Sequence, residues 1–339
     1  MSAARVLPET AIRAAWNARL RNTGIVIPTY NAGKDWNRLR AGLALQGIAP
    51  EQVLIVDSSS TDDTRRKAQE AGYRLIVIAK AQFGHGKTRQ MAAKQIPWAE
   101  TLIYMTQDAC PQGKDSFERL IEVFDDPQIG AAYGRQVARE DASAIERHAR
   151  LFNYSASSYV RDFASREVYG FGATFFSNTF AAYRTRALES VGGFRKDALV
   201  SEEVSVAARM LMAGWKIAYC AEAAVIHSHR PTIRHQFSRY FDIAVQHGRE
   251  QWILDTFGTV GNRGRAFVAS ELKYLLANDW KEIPFAVVLT LAKWCGYKAG
   301  RCEKSWPLWM KKALSGQPGY WRVGNVSLVR QGAAYRSAD

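Results

Sequence analysis

Cysteine is scarce: four in 339 residues, Cys110, Cys220, Cys295 and Cys302, with no CxxC pair or other metal-type spacing. That excludes a disulfide framework and a module built on paired cysteines, and it reads as a reducing cytoplasm. Long apolar runs are missing too. The longest, residues 284–292, is about half of the roughly 20 residues a membrane-spanning helix needs. No leader pattern opens the chain, which adds to the expectation of a cytoplasmic protein. Internal repeats and low-complexity tracts are likewise absent. Acidic residues are outnumbered, 32 against 46 Lys+Arg, for a net charge of +14. With 47% apolar and 12% aromatic positions, disorder, collagen and coiled coil are excluded as the main state.

The excess charge is uneven. Residues 251–339 carry +7, half of it, in about a quarter of the length, together with six of the ten tryptophans: Trp252, Trp280, Trp294, Trp306, Trp309 and Trp321. Lys/Arg mixed with Trp suits a surface lying on anionic headgroups. An equally good reading is a helical tail whose tryptophans pack on the main domain. At the other end, residues 1–20 read as a basic amphipathic helix.

Through the first half, short apolar runs alternate with helical patterns, the signature of strand–helix–strand units and a mostly parallel sheet. Strands are expected at 24–28, 53–56, 75–78, 102–105 and 130–133, and helices at 36–45, 62–71, 88–95 and 117–124. Residues 170–183 (GFGATFFSNTFAAY) suit a mixed strand lining a pocket, with a helix at 202–213 and short strands at 215–219 and 223–226. In open parallel sheets, ligands bind beyond the carboxyl ends of strands. Three such ends carry polar clusters: Thr29-Tyr30-Asn31, Asp57-Ser58-Ser59-Ser60, and Gln107-Asp108.

Each cluster has a functional and a plain reading. Asp57 can accept from a nucleobase or ribose, or merely cap a turn. Asp108 is placed to hold a divalent cation against a diphosphate, and Mg²⁺ or Mn²⁺ takes oxygen ligands. Of Glu202-Glu203, one can face the crevice as a general base while the other anchors the loop; alternatively both compensate a helix dipole. His227, in His227-Ser228-His229 after an apolar strand, is either a metal ligand or a histidine bonded to the core edge.

Taken in order, PTYN, DSSSTDDT, TQDA, FGATFFSNTFAAYR, GGF, the paired-acid helix and HSH resemble the family 2 inverting glycosyltransferases with the GT-A fold. The resemblance runs from about Thr23 to Gly248. Phe83-Gly84-His85-Gly86, the Thr-Gln-Asp metal motif and FFSN look like the bacterial rhamnosyltransferase branch. The resemblance implies a GT-A domain over residues 21–250 with a mostly helical extension over 251–339. It implies inverting transfer of L-rhamnose from dTDP-β-L-rhamnose to a lipid-linked saccharide. Pro28, Thr29, Tyr30 and Asn31 would then meet the nucleoside, with Asp57 on the base and Ser58 nearby. His85 and Arg89 would flank the nucleotide or its phosphates. Gln107 would lie at the nucleotide beside Asp108, which with His227 would hold Mg²⁺ or Mn²⁺. Glu203 falls at the catalytic carboxylate, with Glu202 orienting it. Two departures stand out: Thr106 replaces the usual first acid of the metal motif, and Glu replaces the commoner Asp at the base.

Two rivals use the same residues or charge. Residues 81–88 (AQFGHGKT) follow a strand and end in GKT, so a P-loop phosphotransferase would use Lys87 and Asp108; Ala81 replaces its first glycine. The net charge of +14 would suit a nucleic-acid-binding protein, but the charges of the first 250 residues are interleaved and no nucleic-acid motif is present, so no nucleic-acid partner is expected.

Overall fold

The computed structural model describes residues 18–259 and 261–321. Most of the expected N-terminal helix and the last 18 residues lie outside that range.

Strands β1 (Thr23–Thr29), β2 (Val53–Asp57), β3 (Arg74–Val77) and β4 (Thr101–Met105) come first. The apolar runs of β1, β2 and β4 form strands buried on both faces, and such strands read as continuous rather than alternating hydrophobic segments, whereas edge strand β3 is only half-buried. β5 (Cys110–Pro111), β6 (Ile129–Val137), β7 (Tyr159–Arg161), β8 (Phe180–Arg184) and β9 (Lys216–Ile226) follow. They make one nine-stranded sheet in the order β3-β2-β1-β4-β8-β6-β9-β5, with β7 also on β9. Successive residues of β1 serve opposite cores. Ile25 and Ile27 pack with Trp36, Leu39 and Phe117 on one face, and Val26 packs with Tyr104, Tyr183 and Phe194 on the other, as the two-residue period of a strand requires.

Strands β1 to β4 pair in parallel as the strand–helix alternation predicts. Beyond them β8 enters antiparallel between β4 and β6, and β5 and β7 run antiparallel to β9. The sheet is therefore mixed: the strand–helix alternation marks β1 to β4 and β6, and the antiparallel strands β5, β7 and β8 fall outside it. The segment 170–183 is not one strand. Gly170, at φ +53°, opens a 3₁₀ turn over Gly170–Thr174, and only Phe180–Arg184 joins the sheet. Its other aromatics, Phe171, Phe175 and Phe176, pack into the core. Conversely, the two short strands expected at 215–219 and 223–226 are one, β9, which delivers His227 at its end.

The helical layer begins at Ile233, inside the span assigned to the catalytic domain, so the boundary expected at residue 250 cuts through it. Helix Ile233–Arg249 packs along helix Ile283–Arg301. Gly296 and Gly300, one turn apart, lie against the backbone carbonyls of Phe237 and Phe241, where a Cβ would collide. That contact is invisible in local sequence pattern. Among the described residues no helix is long and apolar enough to cross a membrane.

Candidate active site

Parallel pairing brings the carboxyl ends of β1, β2 and β4 to one edge, with Thr29 directly opposite Asp57. The loops that follow are tied to each other. Asp57 is fully buried and accepts hydrogen bonds from Thr29 Oγ1 (3.0 Å), Ser60 N (2.8 Å) and Ser60 Oγ (2.5 Å). Asn31 Oδ1 accepts from Thr61 N at 2.8 Å, and Asp62 accepts from the amides of Gly33 and Thr64, each at 3.0 Å. The Asp57 carboxyl and the Asn31 side-chain carbonyl join these two loops, as an acidic, hydroxyl-rich turn does.

Over this edge opens a crevice of about 1500 Å³. Of the residues singled out from sequence, Pro28, Thr29, Tyr30, Ser58, His85, Arg89, Gln107, Asp108 and His227 line it. Asn31, Asp57, Glu202 and Glu203 do not. Gln107 clips β4 to β1 by accepting from Tyr30 N (2.8 Å) and donating to Tyr30 O (3.2 Å). Lys80 Nζ lies 2.6 Å from the Tyr30 hydroxyl and 4.1 Å over its ring, making a cationic aromatic wall. Sequence reading missed Lys80, His235, Arg239 and the segment Gly316–Tyr320, which all line the crevice. The last was assigned to a tail, yet Asp242 Oδ2 accepts from Gly316 N at 2.9 Å and Tyr320 donates to Asp197 O at 2.9 Å, pinning it across the opening.

Asp108, His227 and His229 present ligand atoms that all lie within 4.8 Å of one another. His229 Nε2 is 2.6 Å from Asp108 Oδ2, and His227 Nε2 is 3.4 Å from Asp108 Oδ1. Burial opposes ionisation of Asp108, but the adjacent imidazoles of His227 and His229 outweigh it and hold the carboxyl well below its ordinary range. Burial pushes His227 down, against the pull of Asp108, which favours the neutral ring. His227 Nδ1 is 2.8 Å from Gln136 Oε1, which puts the ring proton on Nδ1 and turns Nε2 toward Asp108 and, at 3.2 Å, His229 Nε2. Asp108 Oδ1 is buried without a hydrogen-bond partner. These residues fit a divalent ion. One carboxylate with two imidazoles suits Mn²⁺ better than Mg²⁺, which favours an all-oxygen shell. His229, named in the sequence motif but not singled out as a ligand, supplies the donor lost where Thr106 replaces an acid.

Glu202 and Glu203 open helix Glu202–Met212 after Ser201, a non-glycine residue at φ +57°. Asn31 and Ser59, at φ +49° and +60°, are the other two such residues among those described. All three lie in loops at this end of the sheet, and left-handed non-glycine backbone costs on the order of 1–3 kcal/mol, held only where surroundings enforce it. Buried Glu202 pairs with buried Arg89 and accepts from Asn178 Nδ2 at 3.2 Å. Burial would raise its carboxyl, but Arg89, His85 and these hydrogen bonds together lower it. Glu203 is only partly exposed and accepts no side-chain hydrogen bond among the described residues. Burial, and then the charge of Glu202, push its carboxyl up to about 8. Arg239, on the crevice wall, is close enough to act on it electrostatically.

The GKT segment forms no phosphate loop. Lys80–Gln82 is a 3₁₀ turn, and Lys87 lies in the first turn of helix His85–Ala93 on the wall of the same crevice.

A sheet of this order, with a carboxylate–imidazole cluster and a paired-acid helix at its strand ends, is the GT-A arrangement. The family model described as glycosyl transferase family 2 matches residues 24–192. The O-antigen chain rhamnosyltransferase WbaN of Salmonella anatum is 41% identical over 298 residues, covering 88% of this chain and 95% of that protein. RfbN of Salmonella typhimurium, described in the same words, is 40% identical with the same coverage. The chain belongs to glycosyltransferase family 2. Among solved structures, the mannosyltransferase PcManGT from Pyrobaculum calidifontis, in complex with GDP-Man and Mn²⁺, matches with a TM-score of 0.53 at 16% identity, over 96% of this chain and 98% of that one. Residues 1–349 of Staphylococcus aureus TarS with UDP-GlcNAc match at 0.52 and 17%, over 93% of each chain. These two likenesses speak to the fold.

Proposed function

We propose that this enzyme transfers an L-rhamnosyl group from dTDP-β-L-rhamnose, with inversion, to a hydroxyl of a lipid-linked saccharide during O-antigen-type polysaccharide synthesis. The observation that carries the reading is the 41% identity to a curated O-antigen chain rhamnosyltransferase over 88% of the chain. The crevice supplies the chemistry. Tyr30 and Lys80 wall the nucleoside side, and Arg89, Lys87 and His85 give cationic and hydrogen-bonding groups for the phosphates. Asp108, His227 and His229 would hold a divalent ion, Mn²⁺ by their donor set. Bound there, it supplies positive charge where the leaving diphosphate gains negative charge. Ionised Glu203 takes the proton of the acceptor hydroxyl as its oxygen bonds to the anomeric carbon. The old carbon–oxygen bond breaks on the opposite face, and its electrons leave with dTDP. Ionised Glu202, held in place by its pair with Arg89, keeps Glu203 basic through its negative charge.

The acceptor's lipid places the enzyme at a membrane, and the helical layer offers a face for it. Val268, Leu272 and Leu276 make an exposed stripe on helix Gly261–Asn278, and Val287, Leu291 and Trp294 make one on helix Ile283–Arg301. Exposed Trp280 lies at the turn between them, and Lys273, Lys281 and Lys298 accompany them. Tryptophan and lysine beside aliphatic stripes match an anionic bilayer surface. The tail tryptophans divide: Trp280, Trp294 and Trp309 are exposed, whereas Trp306 donates to Ala299 O at 2.9 Å and Trp321 is buried.

A panel of nucleoside diphosphate sugars, each assayed with Mn²⁺ for thermal stabilisation and turnover, tests the donor. A ligand at 100 times its Kd stabilises by about 2.7 kcal/mol. dTDP-rhamnose should give the largest shift and the only efficient transfer; a preference for GDP-mannose or UDP-GlcNAc would overturn the assignment.

A further inference from the structure

A second cavity, of about 320 Å³, opens on the other side of the metal cluster's support. That is within the roughly 300–1,000 Å³ that small-molecule sites occupy. Four arginines line it, Arg135, Arg139, Arg147 and Arg150, against one acid, Glu140. Their charges are poorly offset. The Arg135 side chain has no hydrogen bond or ion pair among the described residues. Arg147 donates only to the backbone oxygen of Glu140. Arg139 has a single ion pair, to Asp35 at 3.4 Å, and its Nε is buried without a partner. Arg150 donates through Nε to His227 O at 2.8 Å, and its terminal nitrogens make no hydrogen bond among the described residues. The carboxylates that act on Arg150, Glu146 and Asp108, are engaged elsewhere: Glu146 accepts from Ser143 N at 3.1 Å, and Asp108 holds the histidines.

The location is informative. Gln136, which orients His227, is itself part of the cavity wall, so the cavity and the metal cluster share a partition one side chain thick. Tyr154, also on the wall, interacts electrostatically with Glu203. Guanidinium groups that outnumber the carboxylates around them repel one another and stay poorly satisfied until an oxyanion binds them, for which their forked donors are suited.

We propose that this cavity binds the phosphate or diphosphate of a phosphorylated acceptor, beside the Gln136 wall that it shares with the metal cluster. The proposal rests on the reading of the protein as a transferase acting on a lipid-linked saccharide. It adds that the enzyme recognises the acceptor's phosphoryl group by contact, not only its sugar or its lipid.

Isothermal titration of inorganic pyrophosphate into the full-length, metal-free protein in EDTA tests the site without any donor sugar, so it fails or succeeds independently of the rhamnosyl assignment. The Arg135→Gln/Arg147→Gln variant should bind at least tenfold more weakly than wild type, and Arg135→Lys should keep most of the affinity. No binding by wild type, or equal binding by the double variant, would overturn the proposal. A kinetic arm separates phosphate from lipid. The same saccharide is supplied free, as a short-alkyl diphosphate and as a long-alkyl diphosphate. The diphosphate should lower the acceptor KM at least tenfold at either chain length, and the double variant should lose that advantage while keeping kcat for the free saccharide. An advantage that appears only with the long chain would assign recognition to the lipid and refute the site.

Discussion

Glu202 and Glu203 are consecutive residues with opposite electrostatic settings: the first is neutralised by the buried guanidinium of Arg89, while the second, without a cation bonded to it, is pushed up to about 8. Pairs of titratable groups driven apart in this way mark acid–base assignments. Here Glu202 is the fixed charge and Glu203 the group that moves a proton.

Glu203→Gln should retain nucleotide-sugar binding while turnover falls by a factor of about 10² to 10⁴. In the wild type, a base with a carboxyl near 8 is mostly protonated at neutral pH. Thus kcat/KM should rise about tenfold per pH unit below that value and level off above it. The same shift has a stability sign. A carboxyl raised from 4.5 to about 8 on folding weakens the native state progressively as pH rises between those values. Glu203→Gln should therefore raise Tm more at pH 8 than at pH 5; an equal change at both would count against the shift.

The metal cluster depends on Gln136 as well as on its three ligands. Gln136→Met removes the acceptor that fixes the His227 tautomer and should weaken Mn²⁺ binding about 10- to 100-fold. His229→Ala should weaken it further. Titration of Mn²⁺ followed by electron paramagnetic resonance reads both directly. Chelation with EDTA should abolish transfer, and Mn²⁺ should restore it better than Mg²⁺.

Removing one partner of the Arg89–Glu202 pair leaves the other charge buried. Arg89→Met should cost about 3–5 kcal/mol, seen in chemical denaturation. Adding Glu202→Gln should recover much of that loss, because an apolar or neutral replacement of both partners avoids the stranded charge. No recovery would show that Arg89 acts through packing.

Leu276→Glu, Leu291→Glu and Trp294→Glu change exposed positions away from the crevice. Combined, they should reduce co-sedimentation of the full-length enzyme with anionic vesicles by more than tenfold, given roughly 1.5–3 kcal/mol per buried apolar side chain. Turnover on a soluble acceptor should be unchanged. Undiminished vesicle binding would move the membrane contact elsewhere.

Apolar runs and turn residues determined by themselves that strands β1 to β4 exist, that they pair in parallel, and that Thr29, Gln107 and Asp108 come to one edge, since strand period and crossover rules are local properties of the chain. The paired acids and the His-Ser-His cluster were legible as chemistry for the same reason. Tertiary structure alone decided which of these groups remain available. It buried Asp57 under Thr29 and Ser60, set His229 beside Asp108 in place of the missing acid, and opposed Glu202 to Arg89 across 113 positions of sequence. It also folded Gly316–Tyr320 back over the donor crevice and let two glycines bring distant helices into contact. Burial, ion pairing and pKa depend on neighbours in space, and no spacing along the chain encodes them.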